Sequence, residues 1–138
     1  SQRAQIALTE LGHDVTVSVV SSPAEMEAAV VAQRPELIVC PFLKRLIPES
    51  VWSNHRCLIV HPGPKGDRGG SSLDWAVELG MEEWGVTVLE ATGDVDAGDI
   101  WATRTFPVRA GAEQNVMATR IGDRDVVVVD GVGDEPFV

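Results

Sequence analysis

At 138 residues, with 44% hydrophobic and 23% charged side chains, the chain is long enough to bury a real core and too apolar to be disordered. Its net charge of −10, from 11 basic and 21 acidic residues, argues against a nucleic-acid surface, because phosphate backbones are held by Lys and Arg. No apolar run reaches the length of a membrane span and no basic, apolar leader opens the chain, which predicts a cytoplasmic protein with no membrane partner.

Residues 1–11 carry Ala4, Ile6, Ala7, Leu8 and Leu11 on a broad apolar face and predict a helix, with Gly12 just past its end. Val15, Val17 and Val19 alternate with Thr16 and Ser18 as a strand. Ser22-Pro-Ala-Glu25 is a capping box with Pro at the first helical position, and the helix it opens runs to about Gln33 with Met26, Ala29 and Val30 inward. Residues 37–40 form a continuous apolar run, the pattern of a buried parallel strand, which Pro41 is expected to end. Pro48-Glu-Ser-Val-Trp52 starts a short helix. Leu58, Ile59 and Val60 then run into His61 as the next buried strand.

A loop rich in Gly and Pro follows, and Ser71 or Ser72 caps a helix carrying Leu73, Trp75, Ala76, Val77 and Leu79, ended by Gly80. Residues 86–89 read as a strand, and residues 100–108 alternate as an antiparallel or edge strand. The order of helices and strands predicts a doubly wound, mostly parallel α/β sheet of the Rossmann-like kind. A chain that opens on a helix lacks the first strand of such a sheet, which would bridge residues 15–19 and 58–61. The expected organisation is a catalytic domain over residues 1–109 and an acidic, Gly- and Val-rich tail over 110–138. In the tail, residues 125–129 are the one spare strand. Flanking acids and late position predict that it stays out of the sheet centre, leaving the chain poorly stable.

Few residues stand out for chemistry. Cys40 and Cys57 sit in or beside apolar runs, far apart and without Cys-x-x-Cys pairing. They read as buried thiols and give no metal signature. His61 ends a buried strand, where ligands of open α/β sheets gather, but a histidine there is often only a hydrogen-bonded structural residue. Asp96 lies in Gly93-Asp-Val-Asp-Ala-Gly98, a composition equally typical of an ordinary turn. The loop Gly66-Asp-Arg-Gly-Gly70, with Lys65, Asp67 and Arg68, has amides of the kind that cradle an anion but matches neither phosphate-binding glycine motif, so a solvated loop is its default reading. Trp52, Trp75, Trp84 and Trp101 read as core or half-buried packing residues.

Taken together, His61-Pro62, Arg68-Gly69, Gly85-Val-Thr87 and Asp96-Ala-Gly-Asp-Ile100 resemble the folate-dependent formyltransferases. The fuller string Leu-Ile-Val-His-Pro-Gly-Pro-Lys-Gly-Asp-Arg-Gly, followed by Ser-Ser-Leu-Asp-Trp-Ala, is similar to the formyltransferase portion of HypX-type hydrogenase maturation factors. The resemblance covers roughly residues 1–108. It implies formyl transfer from 10-formyltetrahydrofolate, without a metal, in maturation of the nickel–iron hydrogenase site, with the formyl group supplying the carbon monoxide ligand. The acceptor would be coenzyme A or another small nucleophile. Hydrogenase maturation machinery would be the partner, and a transfer-RNA substrate is disfavoured by the charge. By the same resemblance His61 is the central donor or base, and Asp96 orients it and favours its charged form. Phe42, Leu43 and Lys44, with Thr92, Gly93, Asp94 and Val95, wrap the pterin of the donor. One departure stands inside the motif: the family's Asn falls on Ile59, which removes an amide donor to the formyl oxygen. That loss keeps a non-catalytic folate-binding fragment open as an alternative. A sugar-amine formyltransferase, which would keep the Asn, is the other.

Overall fold

A computed structural model describes residues 2–43, 46–108 and 126–131. In chain order the elements are α1 (Gln2–Glu10), β1 (Val15–Val20), α2 (Pro23–Gln33), β2 (Leu37–Phe42), α3 (Glu49–Trp52), β3 (Arg56–His61), α4 (Ser72–Glu78), β4 (Glu83–Glu90), β5 (Ile100–Pro107) and β6 (Val126–Gly131). The strands form one sheet in the order β1-β6-β2-β3-β4-β5. β1, β6, β2 and β3 are mutually parallel, while β4 is antiparallel to both β3 and β5.

Local chemistry sets the helix ends. Ser22 caps α2: its hydroxyl accepts the Glu25 N–H at 3.2 Å, with Pro23 in the first turn. Such a cap contributes about 1 kcal/mol. The Glu25 carboxylate reaches back to Ser21, accepting its N–H at 2.6 Å and its hydroxyl at 2.8 Å, one residue earlier than the usual box. Those bonds hold the Glu25 carboxyl below its ordinary pKa. α1 stops at Gly12, whose φ of 91° lets the Gly12 and His13 amides close back on Thr9 and Leu8.

Successive residues of β2 and β3 point to opposite layers. Leu37, Val39, Leu58 and Val60 pack against Leu8 of α1. Ile38, Cys40 and Cys57 face the other way, onto Met26 and Val30 of α2 and Val51 of α3. Helices therefore cover both faces, and strands buried on both sides need the uninterrupted apolar runs seen in the sequence. The doubly wound α/β expectation holds.

Several details differ from expectation. Pro41 does not end β2, which continues to Phe42. Instead the register against β6 slips between Val39 and Phe42, an irregularity that tolerates a residue with no N–H. The neighbour of β3 is β2, paired from Leu37↔Arg56 to Cys40↔Ile59, so the expected single strand bridging residues 15–19 and 58–61 is not what the sheet requires. The slot that needs filling lies between β1 and β2, and β6 occupies it: Val126 is partnered by both Val15 and Leu37. The expected exclusion of this strand from the sheet centre is thus overturned. Four consecutive valines suit a strand paired on both sides.

In α4, Ala76 is buried but Trp75 and Val77 are exposed, as is Leu79 just past its end, because one stripe of so short a helix cannot bury every apolar residue it carries. Trp75 is therefore not a core residue, whereas Trp84 is buried and Trp52 half-buried. In α1 the only buried side chain is Leu8, with Ile6 and Leu11 about half exposed.

Cys40 and Cys57 are free and buried. Burial pushes the Cys57 thiol up to about 12 and the Cys40 thiol higher still, Cys57 adding to the shift on Cys40. Alkylating agents attack the thiolate, so both cysteines should stay unlabelled in the folded chain at about pH 8 and react fully in denaturant. Raised folded-state values also fix a sign. This contribution to stability is intact below the unfolded thiol value of about 8.5 and is lost as pH rises above it. Rapid labelling of native protein, followed by peptide mass spectrometry, would contradict this burial.

Candidate active site

His61 is the last residue of β3 and is 3% exposed. On the same strand, Cys57 and Ile59 precede it at two-residue spacing, so all three side chains lie on one face. The loop that follows is pinned to β4 at three places. Trp84 Nε1 donates to the Pro62 carbonyl at 2.9 Å, and Thr87 Oγ1 donates to the Gly63 carbonyl at 2.9 Å. Gly85 lies so close under Pro64 that an added Cβ would stand 2.8 Å from the Pro64 Cα. The Asp67 amide then closes a turn onto the Pro64 carbonyl at 3.0 Å. That turn returns the chain over the ring, and Asp67 Oδ2 sits 2.7 Å from His61 Nε2. Gly63 has no room for a side chain here: a Cβ would lie 2.6 Å from Nε2.

Asp96 reaches the other nitrogen, with Oδ2 3.3 Å from His61 Nδ1 and its side chain 10% exposed. The expected pair therefore meets directly, although Asp96 does not come from a strand end beside His61. β4 is antiparallel to β3, so its end at Glu90 lies opposite Leu58, near the start of β3. Residues 91–99 must carry the chain back to His61. Gly98 lets the far end of that loop close on its beginning, because a Cβ there would collide with the Glu90 carbonyl, and the Glu90 amide bonds to the Asp99 carbonyl at 2.9 Å. Asp96 itself has φ 49°, a left-handed conformation that Asp tolerates better than most residues. Its Oδ2 also accepts the Gly69 N–H at 2.9 Å, which ties the two loops together.

The loop after β3 is therefore not simply solvated. The Gly69 amide is occupied by Asp96 and the Asp67 amide by Pro64, so these two donors serve the protein and do not stand open as an anion cradle. Ser72 also differs from a helix cap. The N-cap position belongs to Ser71, at φ 62° and without a side-chain cap bond. Ser72, 2% exposed, turns its hydroxyl onto Asp67 Oδ2 and lies 3.3 Å from His61 Nε2. Asp67 and Ser72 escaped the sequence reading as site residues, since no spacing rule announces a contact made by a loop folding back on itself.

Of the segments assigned to a pterin, Phe42 closes β2 and Lys44 lies outside the described residues. Leu43 is half-buried and packs with Trp52, Ile59 and Ala91 against the α2-side core. A Cβ on Gly93 would touch the Trp52 ring at 3.7 Å. Trp52 thus links the α2-side core to the 91–99 loop, a link the sequence did not reveal. Thr92 Oγ1 accepts the Asp94 N–H at 3.3 Å, holding a turn that leaves Val95 half exposed. Ile59 takes part in the apolar wall, as its side chain requires. Among the described residues, no group of three His, Cys, Asp or Glu is arranged to hold a metal ion, and no helix is long and apolar enough to cross a membrane.

Residues 1–129 match the formyl transferase family, a match that reaches past residue 109. The chain belongs to that family. It is 46% identical over 129 residues to the hydrogenase maturation factor HoxX of Bradyrhizobium diazoefficiens, covering 94% of this chain and 23% of that protein. The structure of HypX from Aquifex aeolicus in complex with tetrahydrofolic acid is 51% identical, with a TM-score of 0.75, over 78% of this chain and 19% of the other. Phosphoribosylglycinamide formyltransferase from Bacillus halodurans shares the fold at a TM-score of 0.66 and 14% identity. The chain thus spans about a quarter or less of the hydrogenase maturation factors it resembles.

Proposed function

We propose that this formyltransferase domain moves a formyl group from 10-formyltetrahydrofolate to a small nucleophile, coenzyme A being the leading candidate, in the supply of carbon monoxide to a nickel–iron hydrogenase site. The observation that carries the reading is the buried His61 with the Asp96 carboxylate 3.3 Å from its Nδ1. The names of HoxX and HypX, and the tetrahydrofolic acid bound to the latter, support the donor and the setting.

The residues suit such a donor. A flat heteroaromatic ring with polar edges needs an apolar wall and backbone groups at its rim. Leu43 and Trp52 offer the first, and the turn at Thr92, Gly93, Asp94 and Val95 offers the second; Phe42 and Lys44 are proposed for the same ring on the resemblance alone. In the transfer, the acceptor attacks the formyl carbon and negative charge builds on the formyl oxygen. His61 meets that charge, or moves the proton, through Nε2, while Asp96 holds Nδ1 and fixes the ring's orientation. Ile59 supplies no donor, so more of the stabilisation falls on the imidazole than in family members with an amide at this position. Loss of one such donor typically costs about 3 kcal/mol at the transition state.

Incubating the chain with 10-formyltetrahydrofolate and coenzyme A should release tetrahydrofolate and formylate the thiol, measured by absorbance and mass spectrometry. Saturable folate binding with no transfer to coenzyme A or to simple amines would leave a folate-binding domain and end the transfer reading.

A further inference from the structure

His61 lies between two carboxylates, and the second of them, Asp67, has no role in the transfer described so far. An imidazole with one proton can donate to only one of Asp67 and Asp96. A ring carrying both protons presents an N–H to each, at 2.7 Å for Asp67 and 3.3 Å for Asp96. The two acids differ in access. The Asp96 side chain is 10% exposed, whereas that of Asp67 is 27% exposed over a ring that is itself buried. Asp67 is therefore the more accessible of the two carboxylates, on the Nε2 side of the ring. Ser72 of α4 donates to Asp67 Oδ2 from beneath, and the turn from Pro64 fixes the backbone.

We infer that Asp67 is the proton relay of this site: it takes the proton of the acceptor nucleophile and passes it to His61, with Ser72 as the positioning residue that keeps its carboxylate on Nε2. The inference rests on the formyl-transfer reading. The atoms balance as follows. As the acceptor's heteroatom bonds to the formyl carbon, its proton moves to Asp67 and the carbonyl π pair moves to the formyl oxygen. The carbonyl then re-forms, and the bond from carbon to N10 breaks with its pair going to nitrogen. N10 takes the Nε2 proton of His61, and Asp67 returns its proton to Nε2 across 2.7 Å. The products are the formylated acceptor and tetrahydrofolate, with no other reactant. The groups facing the relay are His61 from β3, Ser72 from α4 and, across the ring, Asp96 from the 91–99 loop.

The test compares the full chain with Asp67→Asn, Asp67→Glu and Ser72→Ala, using 10-formyltetrahydrofolate as donor and coenzyme A as acceptor. Asp67→Asn should lower kcat about 100-fold, the scale of losing one proton-transfer group, with tetrahydrofolate affinity unchanged. The acid limb of its kcat/KM profile should flatten, and Asp67→Glu should restore both rate and limb in large part. Ser72→Ala should lower kcat less and shift the limb. Normal rate and profile in Asp67→Asn, beside active wild type, would overturn the relay and leave formyl transfer standing. Equal loss of rate and folate affinity in both the Asn and Glu variants would also overturn it, showing Asp67 to be a loop support. Wild type that binds folate but transfers nothing would overturn the transfer reading, and the relay with it.

Discussion

Replacing His61 with Ala should lower formyl transfer by about 10²- to 10⁴-fold while tetrahydrofolate binding survives. The ring lies against both carboxylates of the site, and its Nε2 is assigned to the reacting atoms. The proposed pterin wall lies instead around Leu43, Trp52 and Gly93, which the substitution leaves untouched. Removing the ring also leaves Asp67 and Asp96 without the partner between them, so His61→Gln, which keeps a donor, serves as a control for folding. Folate affinity by calorimetry and rate by tetrahydrofolate release separate the outcomes. If binding and rate fall together in both variants, His61 is a structural histidine and the catalytic assignment fails.

Deleting residues 109–138 should abolish cooperative unfolding. β1 pairs only with β6 among the described strands, and β2 would lose its partner on that side. Two parallel edges would be left facing an empty slot, with their backbone N–H and C=O groups unpaired. Domains carry roughly 5–15 kcal/mol of net stability, which the loss of a strand paired on both sides can consume entirely. A point substitution asks the same question more gently. Val128→Pro removes an amide opposite Val17 and Val39, and should lower the urea midpoint sharply. An unchanged midpoint and slope in both proteins would show that the last strand contributes nothing to the sheet.

What the sequence disclosed depended on how local the cause was. The Ser22 cap, Pro23 in the first turn and the Gly12 stop act within a few residues of themselves, and each lies where its chemistry predicted. His61 and Asp96 are far apart in the chain, but their motifs carried them, and Asp-x-Gly proved to matter because Gly98 must pass against Glu90. Asp67 was hidden because its contact needs the pins from Trp84 and Thr87, which no one-dimensional pattern displays. The place of β6 was hidden for a related reason. A run of valines fits any doubly buried slot equally well, so register and neighbours come from the rest of the sheet. The direction of β4 was equally silent, and with it the route by which Asp96 reaches the ring.

The central position of β6 also has a consequence in time. Val15 and Val126 stand side by side although nearly the whole described chain separates them, so their pairing closes a very long loop. Contacts of such sequence separation slow folding, because the loop entropy is lost before the pairing offsets it. During synthesis, β1 and β2 emerge early and must wait with open edges until residues 126–131 have been made. Over that interval the nascent chain is most open to capture by another strand, which makes chaperone dependence and aggregation properties of this chain's order of elements as much as of its final stability.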